Sequence, residues 1–336
     1  MEIDEARALV QLAVAARARL GTDEEDEWAE RLRARTGDVG PAVDALLVAG
    51  EVDAALTLAG ALGAFWLENG LVTEGRAITS AVLTATAGAT TAPYARAQLA
   101  LGELAFRQGD QEVAADATST ARAVAENLDD QWVRCRAEIN LARIAFRDAA
   151  ADRIFEHARR AHVLAGDDVR LRAAAVHMLG WGEYMAGNLG AAIAHFEENA
   201  GTYRVTGDRL GQAAELANIG DLLAEAGDVE GAAQYLRRSL EVPGLRENRY
   251  LGPALVRSAG VLCAMRQEHV AALELIGAAD ALYDEFGLTA DPGDDVPHEV
   301  MHATVEAVGR EHADQLCARG AAWSLDEALE AAARAL

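Results

Sequence analysis

The apolar and polar positions of this 336-residue chain follow a pattern that repeats along most of its length. Six times an apolar residue is followed by a small one, at Leu62-Gly63, Leu101-Gly102, Leu141-Ala142, Leu179-Gly180, Ile219-Gly220 and Ala259-Gly260. A short polar turn follows each pair, at Asn69-Gly70, Gly109-Asp110, Asp148-Ala149, Gly187-Asn188, Gly227-Asp228 and Gln267-Glu268, with successive spacings of 39, 40, 38, 40 and 40 residues. Five residues past each turn position another small residue recurs, as Gly75, Ala114, Ala192, Ala232 and Ala272, with Ile154 as the exception. Small residues at both places let two antiparallel helices approach closely, and Gly, Asn and Asp suit the tight turn between them. A period of this size predicts stacked helical hairpins, because one hairpin cannot bury its apolar face alone.

First helices are expected near residues 53–68, 92–108, 131–147, 168–186, 208–226 and 249–266, and second helices near 71–86, 110–127, 151–165, 188–205, 228–242 and 268–286. Residues 1–50 read as an N-terminal helical cap, interrupted at residues 37–41, and residues 51–286 as an array of about six helix pairs. Pro and Gly make 287–297 a loop. Residues 298–336 read as a C-terminal helical cap: one helix over 298–318, then another capped by Ser324, with Glu327 completing a capping box.

These offsets resemble the tetratricopeptide repeat across residues 53–286. The resemblance implies an all-α solenoid of helical hairpins, a right-handed superhelix whose concave groove is lined by the first helices. The usual repeat is about 34 residues, so a period near 40 implies longer helices or loops. A narrower resemblance lies in Leu56-Thr57-Leu58-Ala59-Gly60-Ala61-Leu62, Phe65-Trp66, Glu74-Gly75-Arg76, Asp129-Asp130-Gln131-Trp132, Leu275-Ile276-Gly277-Ala278-Ala279 and Trp323-Ser324-Leu325-Asp326-Glu327-Ala328. These segments are similar to the C-terminal sensor-like region of large ATP-binding, helix-turn-helix transcriptional regulators of the LuxR and SARP types. In that family the array follows a nucleotide-binding module and is joined to a DNA-binding unit, and neither is evident here. The resemblance therefore implies the sensor part standing alone, as its own gene product or as a fragment, with a regulatory binding role and no enzymatic one.

Composition narrows the chemistry further. The chain is 51% hydrophobic but only 5% aromatic, with 6 Pro, which suits Ala/Leu helix packing over strands. Its formal net charge is -24, and all 30 basic residues are Arg. Without lysine there is no Walker-type, Schiff-base or kinase-type amine chemistry. The acidic balance opposes direct binding to nucleic acid. Cys135, Cys263 and Cys317 form no zinc-type cluster. An odd number of thiols and the absence of a signal-like N-terminus point to a cytoplasmic setting. No apolar run is long enough for a membrane span.

One catalytic-looking string remains, His298-Glu299-Val300-Met301-His302, which matches the HExxH zinc pattern. Val308 stands where a third histidine of one such family would fall, and His312 lies too far along the helix to complete the set, so no metal and no cofactor is expected. Gly180-Trp181-Gly182 lacks the third glycine of a dinucleotide fingerprint. The better candidate surface is the groove, where the repeat's helical phase points Glu103, Arg107, Arg136, Arg143, Arg147, His177, Trp181, Tyr184, Asp221 and Arg257 inward. Guanidinium and aromatic groups together suit a ligand with an anionic end and a flat or apolar body. The function expected is a non-enzymatic regulatory module binding a protein or peptide partner or a small effector. The alternatives are a stand-alone protein that binds or sequesters a small molecule and, from another class, a zinc-dependent hydrolase using His298 and His302.

Overall fold

The computed structural model describes residues 1–22, 24–245, 248–291 and 298–336, with His298 described by its backbone alone. Among the described residues the chain is all-helical, with nineteen α-helices, one 3-10 turn and no strand. They group into two compact units, residues 1–67 with 71–187, and residues 188–336 with 68–70.

The first unit opens with α1 (Ile3–Arg17), α2 (Glu25–Arg33), a 3-10 turn (Thr36–Asp38) and α3 (Val39–Val48). Next come α4 (Val52–Ala61), α5 (Gly63–Glu68), α6 (Val72–Ala85), α7 (Ala92–Arg107), α8 (Gln111–Leu128), α9 (Gln131–Arg147), α10 (Ala151–Ala165) and α11 (Val169–Met185). Helix α7 packs on α8, and α9 on α10. The Gly-Asp turns divide two tasks between their residues: Gly109 takes the left-handed backbone (φ 77°), and the Asp110 side chain caps α8 by accepting from the Val113 N–H at 3.2 Å. Asp130 and Asp168 cap α9 and α11 in the same way.

The expected small-on-small register is visible in atomic detail. A Cβ built on Gly102 would lie 2.5 Å from the Thr118 hydroxyl and 3.2 Å from the Ala114 carbonyl oxygen, so only glycine permits the approach of α7 to α8. Gly75 faces the buried Trp66 ring, 2.4 Å from where its Cβ would stand. In the next hairpin Ala142 and the exceptional Ile154 are both fully buried in one core cluster with Cys135, Ile139 and Met178.

The second unit comprises α12 (Leu189–Thr206), α13 (Arg209–Glu225), α14 (Val229–Leu240), α15 (Leu251–Met265), α16 (His269–Glu285), α17 (His298–Val308), α18 (Arg310–Gly320) and α19 (Leu325–Ala335). Its pairs repeat the same contact: Cβ positions on Gly220 and Gly260 would each lie 3.3 Å from the carbonyl oxygens of Ala232 and Ala272. Helices α16 and α18 cross more tightly still. A Cβ on Gly277 would fall 2.2 Å from the Cys317 carbonyl oxygen, and one on Gly320 would fall 1.8 Å from that of Glu274. Ser324 and Glu327 form the expected capping box at the start of α19.

Three expectations need correction. The helix expected over 53–68 is two, α4 and α5, divided at Leu62. Gly60 of α4 and Gly63 of α5 lack the Cβ atoms that would hold these helices away from Ala97 and Ala100 of α7, and the same glycines weaken helix continuity there. The helix expected over 298–318 breaks at Gly309, whose φ of 82° ends α17. The break expected at residues 37–41 stands a little earlier: α2 ends at Arg33, the 3-10 turn at Thr36–Asp38 runs into α3, and Pro41 stands in the first turn of that helix, where a missing N–H costs nothing. The loop expected over 287–297 falls largely outside the described residues.

At the two degenerate turns, Ala149 and Gln267 hold φ values of 53° and 63°, in the left-handed region that glycine occupies at the other turns. A non-glycine residue there costs roughly 1 kcal/mol. Both Ala149→Gly and Gln267→Gly should therefore raise the melting temperature, by about 2–4 °C per kcal/mol gained in a unit of this size. Gly277→Ala should lower it, through overpacking of about 1–3 kcal/mol. Calorimetric melts of the three variants check these signs.

Candidate functional site

Eight of the ten residues expected to line a groove fall in the first unit, on α7, α9 and α11. A helix advances 100° per residue, so positions 7 and 11 apart share one face. Arg96, Glu103 and Arg107 therefore form one stripe on α7, Trp132, Arg136, Arg143 and Arg147 another on α9, and Arg170, His177, Trp181 and Tyr184 a third on α11.

The C-terminal halves of these stripes are joined by contacts. The Phe106 ring lies under the guanidiniums of Arg107 at 5.2 Å and Arg147 at 4.5 Å. Phe146 meets Trp181 with ring centroids 4.7 Å apart, and Tyr184 meets that indole edge-on at 5.7 Å. The indole N–H of Trp181 donates to His177 Nε2 at 3.0 Å, which places the proton of the neutral imidazole on Nδ1. Trp181 and Tyr184 are half-buried, packed against the α9–α10–α11 core. Arg107 and Arg147 stand in the last turns of their helices, where the dipole favours a cation.

Other expected residues are engaged in different ways. Arg136 pairs with Glu103 across α9 and α7. Arg143 is half-buried on the α9 stripe. In the second unit Arg257 pairs with Asp280 and lies 4.9 Å over the Tyr283 ring, so its guanidinium ties α15 to α16. Asp221 is half-buried on α13.

The N-terminal halves of the stripes are already covered. Trp132 lies between the guanidiniums of Arg17 at 5.6 Å and Arg96 at 5.7 Å, and Arg96 also pairs with Asp130 at 3.2 Å. Arg170 donates to the carbonyls of Leu20 at 3.2 Å and Gly21 at 2.6 Å. The end of α1 and the turn after it thus lie across the starts of α9 and α11. Arg17 titrates below its usual range because burial, then Arg96, disfavour its charge against a smaller opposing pull from Asp130. The far ends of the stripes lie about 16 Å away; there Arg147, Trp181 and Tyr184 are half-buried, and Arg107, Phe106 and Phe146 are buried.

Two further groups were not read from the sequence. One is Asn140, 4% exposed on α9 near the same stripe, whose amide nitrogen and oxygen both lack a hydrogen-bond partner. The other is a pocket of about 630 Å³ on the other side of α9, walled by α8 and α10 and rich in arginine. At its floor the Glu138 carboxylate, 5% exposed, meets His157 Nδ1 at 2.7 Å and accepts from Arg122 at 3.4 Å.

Burial pushes the Cys135 thiol up to about 11 and that of Cys263 up to about 12, so both are protonated at neutral pH. His302 pairs with Glu306 at 3.5 Å on its own helix, while the His298 side chain lies outside the described residues. Among the described residues no group of three or more His, Cys, Asp or Glu could hold a metal ion. No helix among them is long and apolar enough to cross a membrane. Compared with known protein families and with curated proteins, the chain matches none.

The Glu138 network sets a pH dependence. Burial alone would raise this carboxyl, but the hydrogen bond and attraction from His157, with those from Arg122, outweigh it and hold it below its usual 4.5. A depressed carboxylate contributes stability above its unfolded value and loses it as pH falls through the folded one. Glu138→Gln should therefore cost about 1–3 kcal/mol at pH 7. The gap to wild type should begin to narrow below about pH 4.5 and close only below the depressed folded value. Urea titrations at pH 7 and pH 4 check the difference.

Proposed function

We propose that the chain is a non-enzymatic binding module of tetratricopeptide type, which recognises a peptide segment of a partner protein on the C-terminal halves of α7, α9 and α11. The observation that carries this reading is the run that half-buried Arg147, Trp181 and Tyr184 form over the buried rings of Phe106 and Phe146, across three successive first helices. Such a run offers ring and guanidinium faces for stacking, at low entropic cost. First helices starting at Val52, Ala92, Gln131, Val169, Arg209 and Leu251 support a repeat period near 40 residues. The resemblance to the sensor region of LuxR- and SARP-type regulators supports a regulatory role.

The charge expected of the ligand changes with the geometry. Three helix C-termini, each with partial negative charge, approach this end of the face and oppose its arginines. Glu103 further occupies Arg136. An apolar or aromatic side chain of the partner therefore fits the face better than a bare anion does. Asn140 adds a polar requirement, since a buried amide without a partner costs about 1–3 kcal/mol until something bonds to it.

The test is affinity capture with wild-type and variant chains, with captured proteins identified by mass spectrometry. Trp181→Ala and Arg147→Ala should each lose a partner that wild type retains, while circular dichroism stays helical. Asn140→Leu should raise the melting temperature and yet weaken capture. The same partners on all four chains would mean the face is packing and not recognition.

A further inference from the structure

We propose that the first unit carries a second binding site, on the side of α9 away from the aromatic stripe, which takes a small amphiphilic organic anion. Its ligand has a carboxylate, phosphate or sulfonate headgroup on a short apolar body. Arg134 and Arg136 lie two residues apart on α9 and so point about 200° away from each other. Arg136 belongs to the stripe, while Arg134 and Glu138 line the pocket that α8 and α10 wall in.

Three observations specify the ligand. First, the pocket gathers the guanidiniums of Arg122, Arg134, Arg159 and Arg160 around about 630 Å³, a volume in the range of small-molecule sites. Against them stand two lining carboxylates, Glu126 and Glu138, in a chain of net charge -24. Planar guanidinium forks match oxyanions in bidentate geometry. Second, a ligand can displace the present partners of two of these arginines at little cost. Arg134 is held by Asp129 at 3.3 Å, whose side chain is 94% exposed, and Arg160 by Glu156 at 2.6 Å on its own helix, both pairs of the exposed kind worth under about 1 kcal/mol. Glu138 is committed to His157 and Arg122, so it does not compete for the other arginines.

Third, the same pocket has an apolar wall. Val163 is 78% exposed on α10 beside Leu164, so it contributes little to the core, yet it borders the arginine cluster. A headgroup on the guanidiniums would place a short hydrophobic body against these two side chains. The size of the anion also follows from charge. A long polyanion meets the repulsion of the whole acidic surface, whereas a small one entering the pocket meets mainly its local positive field.

The probe that tests this is 8-anilinonaphthalene-1-sulfonate, titrated by fluorescence into the full chain beside its uncharged relative N-phenyl-1-naphthylamine. The sulfonate should bind saturably at one per chain, and more tightly than the uncharged compound. Arg134→Ala and Arg160→Ala should each weaken it about tenfold or more, the loss of one charged hydrogen-bonding partner. Val163→Asp, at an exposed position that leaves folding intact, should weaken it as well. Trp181→Ala, on the other face, should leave it unchanged. If an arginine variant fails to fold, Val163→Asp and Arg160→Gln decide the matter. Absence of saturable binding, equal binding by the pocket variants and wild type, or loss on Trp181→Ala alone would overturn the site. Displacement of the probe by poly-glutamate at lower concentration than by a small aryl carboxylate would also overturn it, in favour of an acidic peptide.

Discussion

Backbone-close contact between paired helices, made where a glycine omits its Cβ, is the constraint from which the other features follow. Gly102 against Ala114 and Thr118, Gly220 against Ala232, and Gly260 against Ala272 bring first and second helices together at the same offset each time. Once that distance is fixed, the large side chains have one way to pack: Trp66 covers Gly75, and Ile154 fills the space beside Ala142. The helix faces left over are fixed too. In the first unit these are the stripe of α7, α9 and α11 on one side and the valley between α8 and α10 on the other.

This is also why the helices were legible in the sequence and the side-chain faces were less so. A close backbone approach leaves little choice of residue, so it writes a spacing that can be read directly. Side chains on an exposed face obey no such rule. Phe106 and Phe146 did leave a trace, in the Ala-Phe-Arg runs at 105–107 and 145–147, forty residues apart. The hairpin register absorbs that regularity, so the adjoining arginines stand among the expected groove residues and the phenylalanines do not. The pocket had no comparable trace, because its arginines come from three helices whose mutual placement is needed before they can be seen as a group.

The contact between the end of α1 and the starts of α9 and α11 was illegible for a different reason. Arg170 reaches carbonyls 149 and 150 residues earlier in the chain, and a backbone carbonyl carries no sequence identity at all. Trp132 shows the same limit. It contributed to a family resemblance, but its role as a ring between Arg17 and Arg96 belongs to the fold. The expected list of groove residues therefore says nothing of which end of the face α1 and the turn after it cover.

Helix α9 stands apart because it serves both surfaces, Arg134 and Glu138 turning one way and Arg136, Arg143 and Arg147 the other. Substitutions along it can alter one surface without touching the second. A single inserted or deleted residue has no such freedom, since it would turn everything beyond it by about 100° relative to everything before it. Variation in length is free to accumulate in the turns at Asp129 and Ala149, and the interval between them should drift in composition far sooner than in residue count.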